Sequence, residues 1–457
     1  MISLLTEKKV HIIGIGGIGM SAIAEILINL GCKVSGSDIN SNLNTKKLEG
    51  MGSKISFGHN SSNVTDIDFV VYSSAVSIDN PEIVSALKRN IPVLKRSEVL
   101  ADIMRLKNGI AIAGTHGKTT TTSLVATILK SANLDPTYLI GGIVKNLSGH
   151  AHVGGGDLFV VEADESDGTF LNLKPVISGI TNVDFDHLDF YGDEKNLIRA
   201  FEKFSALVPF YGKIFFNLDD PFSKIISNIC QKPFGSYSVE RSDSSINFSI
   251  ENLIERLGMT SFDLLHFGKK VGNVDVRLNG IHNIQNCLLS IAISYEAGVS
   301  FEDIILGLKK FEGVGRRLEV LTENENGLII DDYGHHPTEV FSTINAVSKL
   351  KMEKKVTVIF EPHRYTRTHN CWSEFTKSFG AADRVILLPI YSAGEDPISG
   401  VTSERLCKEL QDSGVDSSFE MSLDEAFDGI DFSNNIILTM GAGKIGRDVR
   451  KRLGLDY

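Results

Sequence analysis

Short apolar runs alternate with amphipathic stretches along the first quarter of the chain. Residues 10–15 form an apolar run that ends in a glycine turn, residues 21–30 place apolar side chains at helical spacing, and residues 33–37 form a second run before Asp38. This order predicts a parallel strand–helix–strand unit. Further elements are expected as strands at 69–73 and 92–94 and as a helix at 96–107 that leads out of this domain.

A second region begins with an apolar strand at 110–113, a glycine-containing loop and a helix at 119–131. Its later strands, at 158–161 and 176–181, are almost continuously apolar, which is typical of a sheet covered on both faces. Between residues 234 and 279 the pattern changes to short segments with polar alternation. We therefore expect antiparallel strands appended to a parallel sheet, which makes this sheet mixed.

Glycines and charged residues interrupt the pattern at 311–317, and a third alternation of strands and helices follows. Its elements are strands near 328–332, 356–361, 385–389 and 436–440, with helices such as 338–350 between them. The chain is therefore predicted to be an α/β protein of three domains, over residues 1–107, 108–312 and 313–457. Its 457 residues suffice for three domains of about 150 residues each.

Composition and charge narrow the class of protein. Hydrophobic residues make up 42% and charged residues 23%, as in a folded globular protein and unlike a disordered chain. The formal net charge is −11 without any basic block, which disfavours a nucleic acid or an anionic membrane as partner. The five cysteines are scattered without a Cys-x-x-Cys pair, so we expect free thiols in a cytoplasmic protein. No targeting segment is expected, and no apolar run approaches the roughly 20 residues of a membrane span.

The glycine turn of the first domain has the spacing of a nucleotide-binding loop. Its sequence, Gly14-Ile-Gly16-Gly-Ile-Gly19, follows a strand and precedes a helix, where backbone N–H groups and the helix N-terminus can approach a diphosphate. Asp38, at the end of the next strand, is positioned to meet a ribose. The same spacing recurs at 441–446, and since two dinucleotide sites are not expected in one chain, we interpret the second copy as a structural turn.

A phosphate-binding loop opens the second region. The sequence Gly114-Thr-His-Gly-Lys-Thr-Thr120 follows a strand and begins a helix, so that Lys118 can reach phosphate oxygens and Thr119 can bind Mg²⁺. The first glycine of the longer P-loop pattern is replaced by Ile112. A simple helix cap is the alternative, but a buried lysine without an anion would be costly.

Acidic side chains follow two apolar strands of the same region. Glu162-Ala-Asp-Glu-Ser-Asp167 and Asp184-Phe-Asp-His187 come where strands of a parallel sheet end, which is where α/β proteins bind ligands. Carboxylate oxygens suit Mg²⁺, and His187 can bind a metal or a phosphate. A solvated acidic loop and a capping histidine are the alternatives.

Two further groups are candidates for nucleotide contacts. His282 and Asn286 lie four residues apart at the start of a predicted helix, beside Asn283, where they either contact a purine or ribose or cap the helix. Arg316 and Arg317 lie at the predicted hinge before the third domain, where a guanidinium can approach a γ-phosphate. A solvated arginine pair is the alternative there.

Polar clusters also end two strands of the third domain. Asp331-Asp-Tyr-Gly-His-His-Pro337 ends one strand and His363-Arg-Tyr-Thr-Arg367 follows the next. If they share one pocket, Arg364 and Arg367 can hold a carboxylate while Tyr333 and His335 orient an amine. The alternative is that these polar side chains are scattered over the surface and share no pocket.

Together these motifs resemble the Mur ligases, the ATP-dependent amide-forming enzymes of peptidoglycan precursor synthesis. The resemblance rests on Gly-Thr-His-Gly-Lys-Thr-Thr, Glu-Ala-Asp-Glu-Ser-Asp, Asp-His and Asn-Gly-Ile-His-Asn, in this order. Within the family, the first glycine loop and the segments 331–337 and 361–367 are most similar to members that add L-alanine to UDP-N-acetylmuramate. The Asp-Asn-Pro-Arg signature of the diaminopimelate- or lysine-adding members is absent.

The resemblance implies a Rossmann-like domain for the UDP-substrate, a central P-loop domain for ATP and a Rossmann-like domain for the amino acid, with ATP and Mg²⁺ as cofactors. Catalytic roles fall to Lys118, Glu162, His187 and Arg316. ATP contacts fall to Gly114, Thr115, His116, Gly117, Lys118, Thr119, Thr120, His282, Asn283, Asn286, Arg316 and Asp332. The metal ligands are Thr119, Glu162 and His187.

The same resemblance assigns the two remaining substrates. The UDP-substrate residues are Gly16, Gly17, Ile18, Gly19, Ser37, Asp38 and Ser74. The L-alanine residues are Tyr333, His335, His363, Arg364 and Arg367. Several sibling ligases use a carbamoylated lysine near the second Mg²⁺; here the count reaches Glu202, beside Lys203, and that role is left unassigned.

Three alternatives stay open from the sequence. A murein-peptide recycling ligase shares the His-His-Pro element but differs in the first glycine loop and at the counterpart of His363-Arg364. A nicotinamide-dependent dehydrogenase would explain only the first glycine loop, and a non-catalytic ATP switch only the P-loop. Oligomeric state is not indicated by the sequence.

Overall fold

The structure is a computed structural model that describes residues 5–73, 75–142, 144–147, 149–324, 327–351 and 353–455. The chain divides into two compact units. The first comprises the residues up to Glu251 together with Asp263–Val274 and Gln285–Glu312, and the second comprises Asn252–Phe262, Asp275–Ile284 and the residues from Gly313 on.

Within the described residues, the first sheet has five strands in the order β3-β2-β1-β4-β5, and every neighbouring pair is parallel. The strands are β1 Lys9–Ile13, β2 Lys33–Asp38, β3 Lys54–Phe57, β4 Phe69–Tyr72 and β5 Val93–Lys95. The helices are α1 Ile18–Asn29, α2 Leu43–Gly50, α3 Pro81–Lys88 and α4 Arg96–Met104, with a 3₁₀ turn at Ser61–Val64. The predicted strand–helix–strand unit is therefore confirmed as β1-α1-β2.

The second sheet contains ten of the described strands, in the order β15-β14-β13-β12-β11-β10-β6-β9-β7-β8. The strands are β6 Asn108–Ala113, β7 Thr137–Leu139, β8 Ala151–His152, β9 Leu158–Glu162, β10 Ile177–Ile180, β11 Lys213–Asn217, β12 Phe234–Ser238, β13 Phe248–Arg256, β14 Met259–His266 and β15 Lys269–Val276. The helices are α5 Lys118–Ser131, α6 Leu188–Tyr191, α7 Glu194–Ser205, α8 Pro221–Ile229, α9 Ile281–Glu296 and α10 Phe301–Lys309, with a 3₁₀ turn at Thr169–Asn172. The sheet is mixed, as predicted, because β6 is parallel to both of its neighbours while β7 and β8 pair antiparallel. This antiparallel pair lies outside the segment 234–279 for which antiparallel strands are predicted.

One strand of this sheet differs from the prediction. The segment Phe234–Ser238 was expected to be antiparallel, but it pairs parallel with β11 on one side and with β13 on the other. Its serines produce the polar alternation, although most of the strand is buried and the Tyr237 hydroxyl donates to Ile180 O at 2.9 Å. Polar alternation here reflects internal hydrogen bonding and does not mark a solvent-facing antiparallel strand.

The third sheet orders six of the described strands as β16-β17-β21-β18-β19-β20, with only β16 antiparallel to its neighbour. The strands are β16 Glu319–Asn324, β17 Gly327–Asp332, β18 Lys355–Phe360, β19 Arg384–Leu387, β20 Ser417–Phe419 and β21 Asn435–Met440. The helices are α11 Pro337–Leu350, α12 Tyr365–Asn370, α13 Trp372–Ser378, α14 Ser403–Asp412, α15 Leu423–Asp428 and α16 Ile445–Arg452, with a 3₁₀ turn at Phe432–Asn434. One sheet thus lies within each predicted domain and confirms the α/β class, while the boundaries near residues 108 and 313 stay predictions.

The central parallel strands are covered on both faces, which explains their apolar sequences. The β9 side chains of Phe159, Val160 and Val161 are fully buried, and α5 is buried along most of its length. Because parallel strands end at one edge of the sheet, the loops after β6, β9 and β10 emerge side by side. None of the described helices has the length and apolar character needed to cross a membrane.

Candidate active site

The first glycine loop lies at the carboxyl end of β1 and borders a cleft of about 890 Å³. Gly16 N donates to Asp38 Oδ2 at 2.8 Å, and the side-chain amides of Asn42 and Asn44 donate to Gly16 O. The cleft lining includes Gly16, Gly17, Ile18, Gly19 and Asp38. The structure therefore brings these predicted UDP-substrate residues together, while Ser74 lies outside the described residues.

Ser37 faces the interior of the first domain. Its hydroxyl is fully buried and donates to Glu82 Oε2 at 2.5 Å. Burial raises the pKa of Glu82, but the neighbouring His11 and hydrogen bonds from Ser37 and Asn63 outweigh it and lower the pKa to about 2. The Ser37 hydroxyl thus stabilises the ionised carboxylate of Glu82 in the interior. A ligand in the cleft would contact Asp38, the residue after Ser37.

The phosphate-binding loop joins β6 to α5 and depends on two glycines. Gly114 and Gly117 have φ values of 132° and 83°, which favour glycine. A side chain at Gly114 would collide with Thr181, and one at Gly117 would collide with Asn286 of α9. Asn286 therefore lies against the loop, and its nucleotide contact stays a prediction.

Lys118, the first residue of α5, is held at the centre of this loop. Its Nζ donates to Gly114 O at 2.6 Å and Thr115 O at 3.1 Å, and forms a 2.7 Å salt bridge with Glu165 Oε2. Burial lowers the pKa of Lys118, but Glu165 and neighbouring carboxylates raise it above its ordinary value overall. The ammonium is therefore charged and folded back onto its own loop.

The carboxylates after β9 surround this lysine. Glu162 Oε2 accepts from Thr119 Oγ1 at 3.1 Å, and its Oε1 accepts from Gly141 N at 2.6 Å. Burial raises the pKa of both Glu162 and Glu165, and the buried Oε1 of Glu165 has no hydrogen-bond partner among the described residues. Two buried carboxylates and a hydroxyl are thus gathered where a hard cation would offset their desolvation.

The loop after β10 fixes the other side of the P-loop. His116 Nε2 lies 3.0 Å from Asp184 Oδ2, and His116 N donates to Asn182 Oδ1. His187 has a left-handed φ of 58° and its Nε2 lies 3.6 Å from Asp186. Its predicted role as a metal ligand stays a prediction.

Three other predicted residues, and two that were left unassigned, occupy defined positions in the second region. Thr120 is buried within α5, and Asn283 donates from its side chain to Asn279 O at 2.9 Å at the start of α9. His282 lies beside Gly280, where a Cβ would come within 2.8 Å of its ring. On α7, Glu202 is half-buried and Lys203 exposed, and the carbamoylated-lysine role stays unassigned.

A smaller cleft of about 290 Å³ extends from the glycine loop to the P-loop within the first compact unit. Its polar lining includes Gly19, Arg96, Lys118, Glu162 and Asp164. Its apolar lining includes Leu100, Leu139, Ile140, Phe170 and Leu173. Arg96 lines both clefts and was not found from the sequence, because it belongs to no motif.

In the second compact unit, Arg316 belongs to an internal ionic network. Its Nε donates to Asp331 Oδ2 at 3.1 Å, Nη2 donates to Gly441 O, and the guanidinium lies 5.0 Å from the Tyr333 ring centroid. Arg450 donates to the same Asp331 oxygen at 2.7 Å. A role for Arg316 at a γ-phosphate would require it to leave this network.

Asp332 is also engaged within its own unit. Its Oδ1 accepts from Gly334 N and its Oδ2 from Leu318 N, each at 2.8 Å. Burial raises the pKa of Asp332 to about 6. Both oxygens thus brace the loop after β17, and the predicted ATP contact stays a prediction.

Aromatic rings connect the polar clusters after β17 and β18. The ring centroids of Tyr333 and His335 are 5.4 Å apart, those of His335 and His363 are 5.5 Å apart, and His363 stacks on Tyr391 at 5.6 Å. Burial lowers the pKa of His335 to about 3 and, together with Arg367 and Arg364, that of His363 to about 4. The structure therefore gathers the predicted amino-acid residues around two neutral imidazoles.

These depressed histidine pKa values predict a pH-dependent stability. Between the ordinary value of about 6.5 and the folded values, the unfolded chain binds protons at His335 and His363 that the folded chain does not. The free energy of unfolding should therefore fall as pH is lowered from 7 to 4. Urea titrations at several pH values should show a shallower fall in His335→Asn/His363→Asn than in wild type; equal slopes would contradict the assignment.

The second glycine motif binds one of the protein's own carboxylates. Ile445 N, at the start of α16, donates to Glu361 Oε2 at 3.1 Å, and a Cβ on Gly443 would collide with the same oxygen. An internal anion thus occupies the position where a phosphate would bind. This arrangement agrees with the interpretation of residues 441–446 as a structural turn.

Three family models match successive parts of the chain. Residues 9–108 match "Mur ligase family, catalytic domain", residues 112–294 match "Mur ligase middle domain", and residues 316–443 match "Mur ligase, glutamate ligase domain". A UDP-N-acetylmuramate–L-alanine ligase of Endomicrobium trichonymphae is 43% identical over 99% of both chains. Proteins with the same name from Geotalea daltonii and Aquifex aeolicus are 45% and 44% identical over 96% of both chains.

Solved structures of similar proteins have the same fold as this chain. The UDP-N-acetylmuramate-alanine ligase of Thermotoga maritima superposes with a TM-score of 0.80 at 30% identity, covering 98% of this chain and 99% of that chain. A murein peptide ligase from Psychrobacter arcticus superposes with a TM-score of 0.68 at 23% identity, covering 97% and 98% of the two chains, and supports the fold alone.

Proposed function

Because this chain belongs to the Mur ligase family, we propose that it joins L-alanine to the lactyl carboxylate of UDP-N-acetylmuramate at the expense of ATP. The cleft that runs from the glycine loop to Lys118 carries this proposal, because a carboxylate on a nucleotide sugar must reach the γ-phosphate of ATP. The names of the full-length relatives support the same substrates. Five free cysteines support a cytoplasmic site of action.

The proposed reaction has two chemical steps. A carboxylate oxygen attacks the γ-phosphorus as the bond to the ADP oxygen breaks, which gives an acyl phosphate. The alanine amine then attacks the acyl carbon, and the tetrahedral intermediate loses inorganic phosphate and a proton to leave the amide. No side-chain nucleophile is needed, so the protein contributes positioning and charge stabilisation.

The central domain supplies the charges for the first step. ATP phosphates would bind along residues 114–120, with Lys118 exchanging its carbonyl and Glu165 contacts for phosphate oxygens. Asn286, which lies beside Gly117, is proposed to contact the nucleotide. The lysine stays protonated, so it offsets repulsion between two anionic reactants.

Thr119, Glu162 and His187 are proposed to hold Mg²⁺. The Thr119 hydroxyl and the Glu162 carboxylate already lie within 3.1 Å of each other, and the unpartnered Oε1 of Glu165 adds negative charge nearby. This donor set fits a hard divalent cation. When bound, Mg²⁺ neutralises negative charge on the phosphate oxygens.

The third domain is proposed to bind alanine. Arg364 and Arg367 are suited to its carboxylate, and the neutral imidazoles of His335 and His363 are suited to accept hydrogen bonds from its ammonium group. The buried Nδ1 of His363 has no hydrogen-bond partner among the described residues, so it is available as an acceptor.

This assignment predicts a selective effect on alanine. His363→Ala and Arg364→Ala should each raise the KM for L-alanine about tenfold or more, because each removes one charge-assisted or polar contact. The KM for ATP should be unchanged. Steady-state kinetics with the exposed Arg447→Ala as control would test this, and equal increases for both substrates would argue against an alanine pocket.

A product assay tests the proposed function. ADP release is measured with ATP and UDP-N-acetylmuramate, with and without L-alanine, and the nucleotide product is weighed by mass spectrometry. We expect an alanine-dependent mass increase of the UDP-sugar. Turnover only with a preformed peptide would favour the recycling ligase, and ADP release without any amide product would favour an ATP switch.

A further inference from the structure

We infer that Arg96 binds the lactyl carboxylate of the UDP-sugar and directs it toward the phosphate site at Lys118. The inference rests on the proposed function, because it names the group that receives this substrate's carboxylate. Arg96 belongs to none of the sequence motifs, and its assignment comes from its position between two clefts.

Arg96 is the first residue of α4 and faces both clefts of the first compact unit. A Cβ built on Gly19 would lie 2.6 Å from Arg96 Nη1, so the guanidinium lies directly against the glycine loop. On the side of the P-loop, Arg96 lines the smaller cleft together with Lys118, Glu162 and Asp164. Arg96 thus borders both the nucleotide-sugar cleft and the acidic cluster.

The side chain of Arg96 is half-buried. Within the described ranges it makes no hydrogen bond or salt bridge, whereas nearby Lys118 is bound by two carbonyls and Glu165. A partly desolvated guanidinium is unfavourable unless an anion pairs with its charge and accepts its hydrogen bonds. Its planar array of donors matches a carboxylate in two-point geometry.

The surroundings favour a carboxylate over the diphosphate of the same substrate. The glycine loop and the N-terminus of α1 already provide the geometry that binds diphosphates. The smaller cleft, in contrast, is lined by Glu162 and Asp164 and by apolar side chains, so an entering carboxylate would be repelled without a cation. Arg96 and Lys118 are the cations that line it.

Two ligands distinguish binding of the lactyl carboxylate from binding of the diphosphate. UDP-N-acetylglucosamine carries the same diphosphate and sugar but lacks the lactyl carboxylate. We expect Arg96→Ala to weaken binding of UDP-N-acetylmuramate about 10- to 100-fold by calorimetry and to leave UDP-N-acetylglucosamine affinity unchanged. Arg96→Lys should lose less affinity for UDP-N-acetylmuramate than Arg96→Ala, because lysine keeps the positive charge but not the two-point geometry.

The matched control is Arg105→Ala, an exposed arginine at the end of the same helix that pairs with Asp102. It should leave both affinities unchanged. Equal losses for both ligands in Arg96→Ala would overturn the inference in favour of a diphosphate or folding role, and no loss for either would overturn it as well. A wild-type protein that binds neither ligand would contradict the proposed function itself.

Discussion

Replacing Lys118 by alanine should lower the rate of ATP consumption by at least about 10²- to 10³-fold, the usual cost of removing one preorganised group that stabilises transition-state charge. The ammonium is the cation at the centre of the phosphate-binding loop and is bound there by Gly114 O, Thr115 O and Glu165. Without it, the repulsion between the substrate carboxylate and the γ-phosphate is not offset.

The same variant should still bind UDP-N-acetylmuramate, because the glycine loop, Asp38 and Arg96 line the larger cleft, and Lys118 is not among its described lining residues. Lys130→Ala provides the control, since Lys130 is an exposed lysine on the same helix. Retained turnover in a coupled ADP assay would contradict the P-loop assignment, and loss of UDP-sugar binding would indicate a folding defect.

The second large effect is expected at Glu162. Glu162→Gln should raise the Mg²⁺ concentration needed for half-maximal activity about 100-fold, because the buried carboxylate is the charged member of the proposed metal set. Glutamine keeps one acceptor oxygen for Gly141 N, and its amide NH₂ can donate to the Thr119 hydroxyl oxygen in place of the bond that this hydroxyl donates to Glu162. Burial raises the pKa of Glu162, so removing its charge should not lower the free energy of unfolding.

Mg²⁺ titrations of activity, with urea unfolding as the stability measurement, separate these effects. Glu194→Gln, an exposed glutamate in the first turn of α7, is the control and should respond to Mg²⁺ as wild type does. An unchanged Mg²⁺ requirement in Glu162→Gln would exclude this carboxylate as a ligand, and a large loss of stability would reassign it to the fold.

Local sequence patterns were sufficient to predict those parts of the structure that are formed by one continuous segment. The P-loop could be predicted because a strand, a glycine loop and a helix follow each other directly, and the structure places Gly117, Lys118 and Thr119 as expected. The strands β6 and β9 could be predicted because their burial on both faces makes them continuously apolar. In these segments, the hydrophobic pattern of the sequence and the burial in the structure indicate the same secondary structure.

The rest depends on contacts between distant segments. Ser37 and Asp38 are adjacent in sequence, yet the serine faces Glu82 in the interior and the aspartate faces the cleft, an alternation fixed by the position of α3. The second glycine motif has the same spacing as the first, but its anion is Glu361, 84 residues away. Arg96 was missed for the same reason, since its position against the glycine loop brings together two segments that are distant in the sequence.

Isotope transfer from the substrate carboxylate to phosphate would show that the reaction passes through an acyl phosphate. UDP-N-acetylmuramate with both lactyl carboxylate oxygens labelled with ¹⁸O is incubated with the protein, ATP, Mg²⁺ and L-alanine, and phosphate and the UDP-product are analysed by mass spectrometry. The acyl-phosphate route predicts one ¹⁸O in inorganic phosphate, the other in the new amide, and one added alanine in the product. Unlabelled phosphate, or a product without alanine, would contradict it.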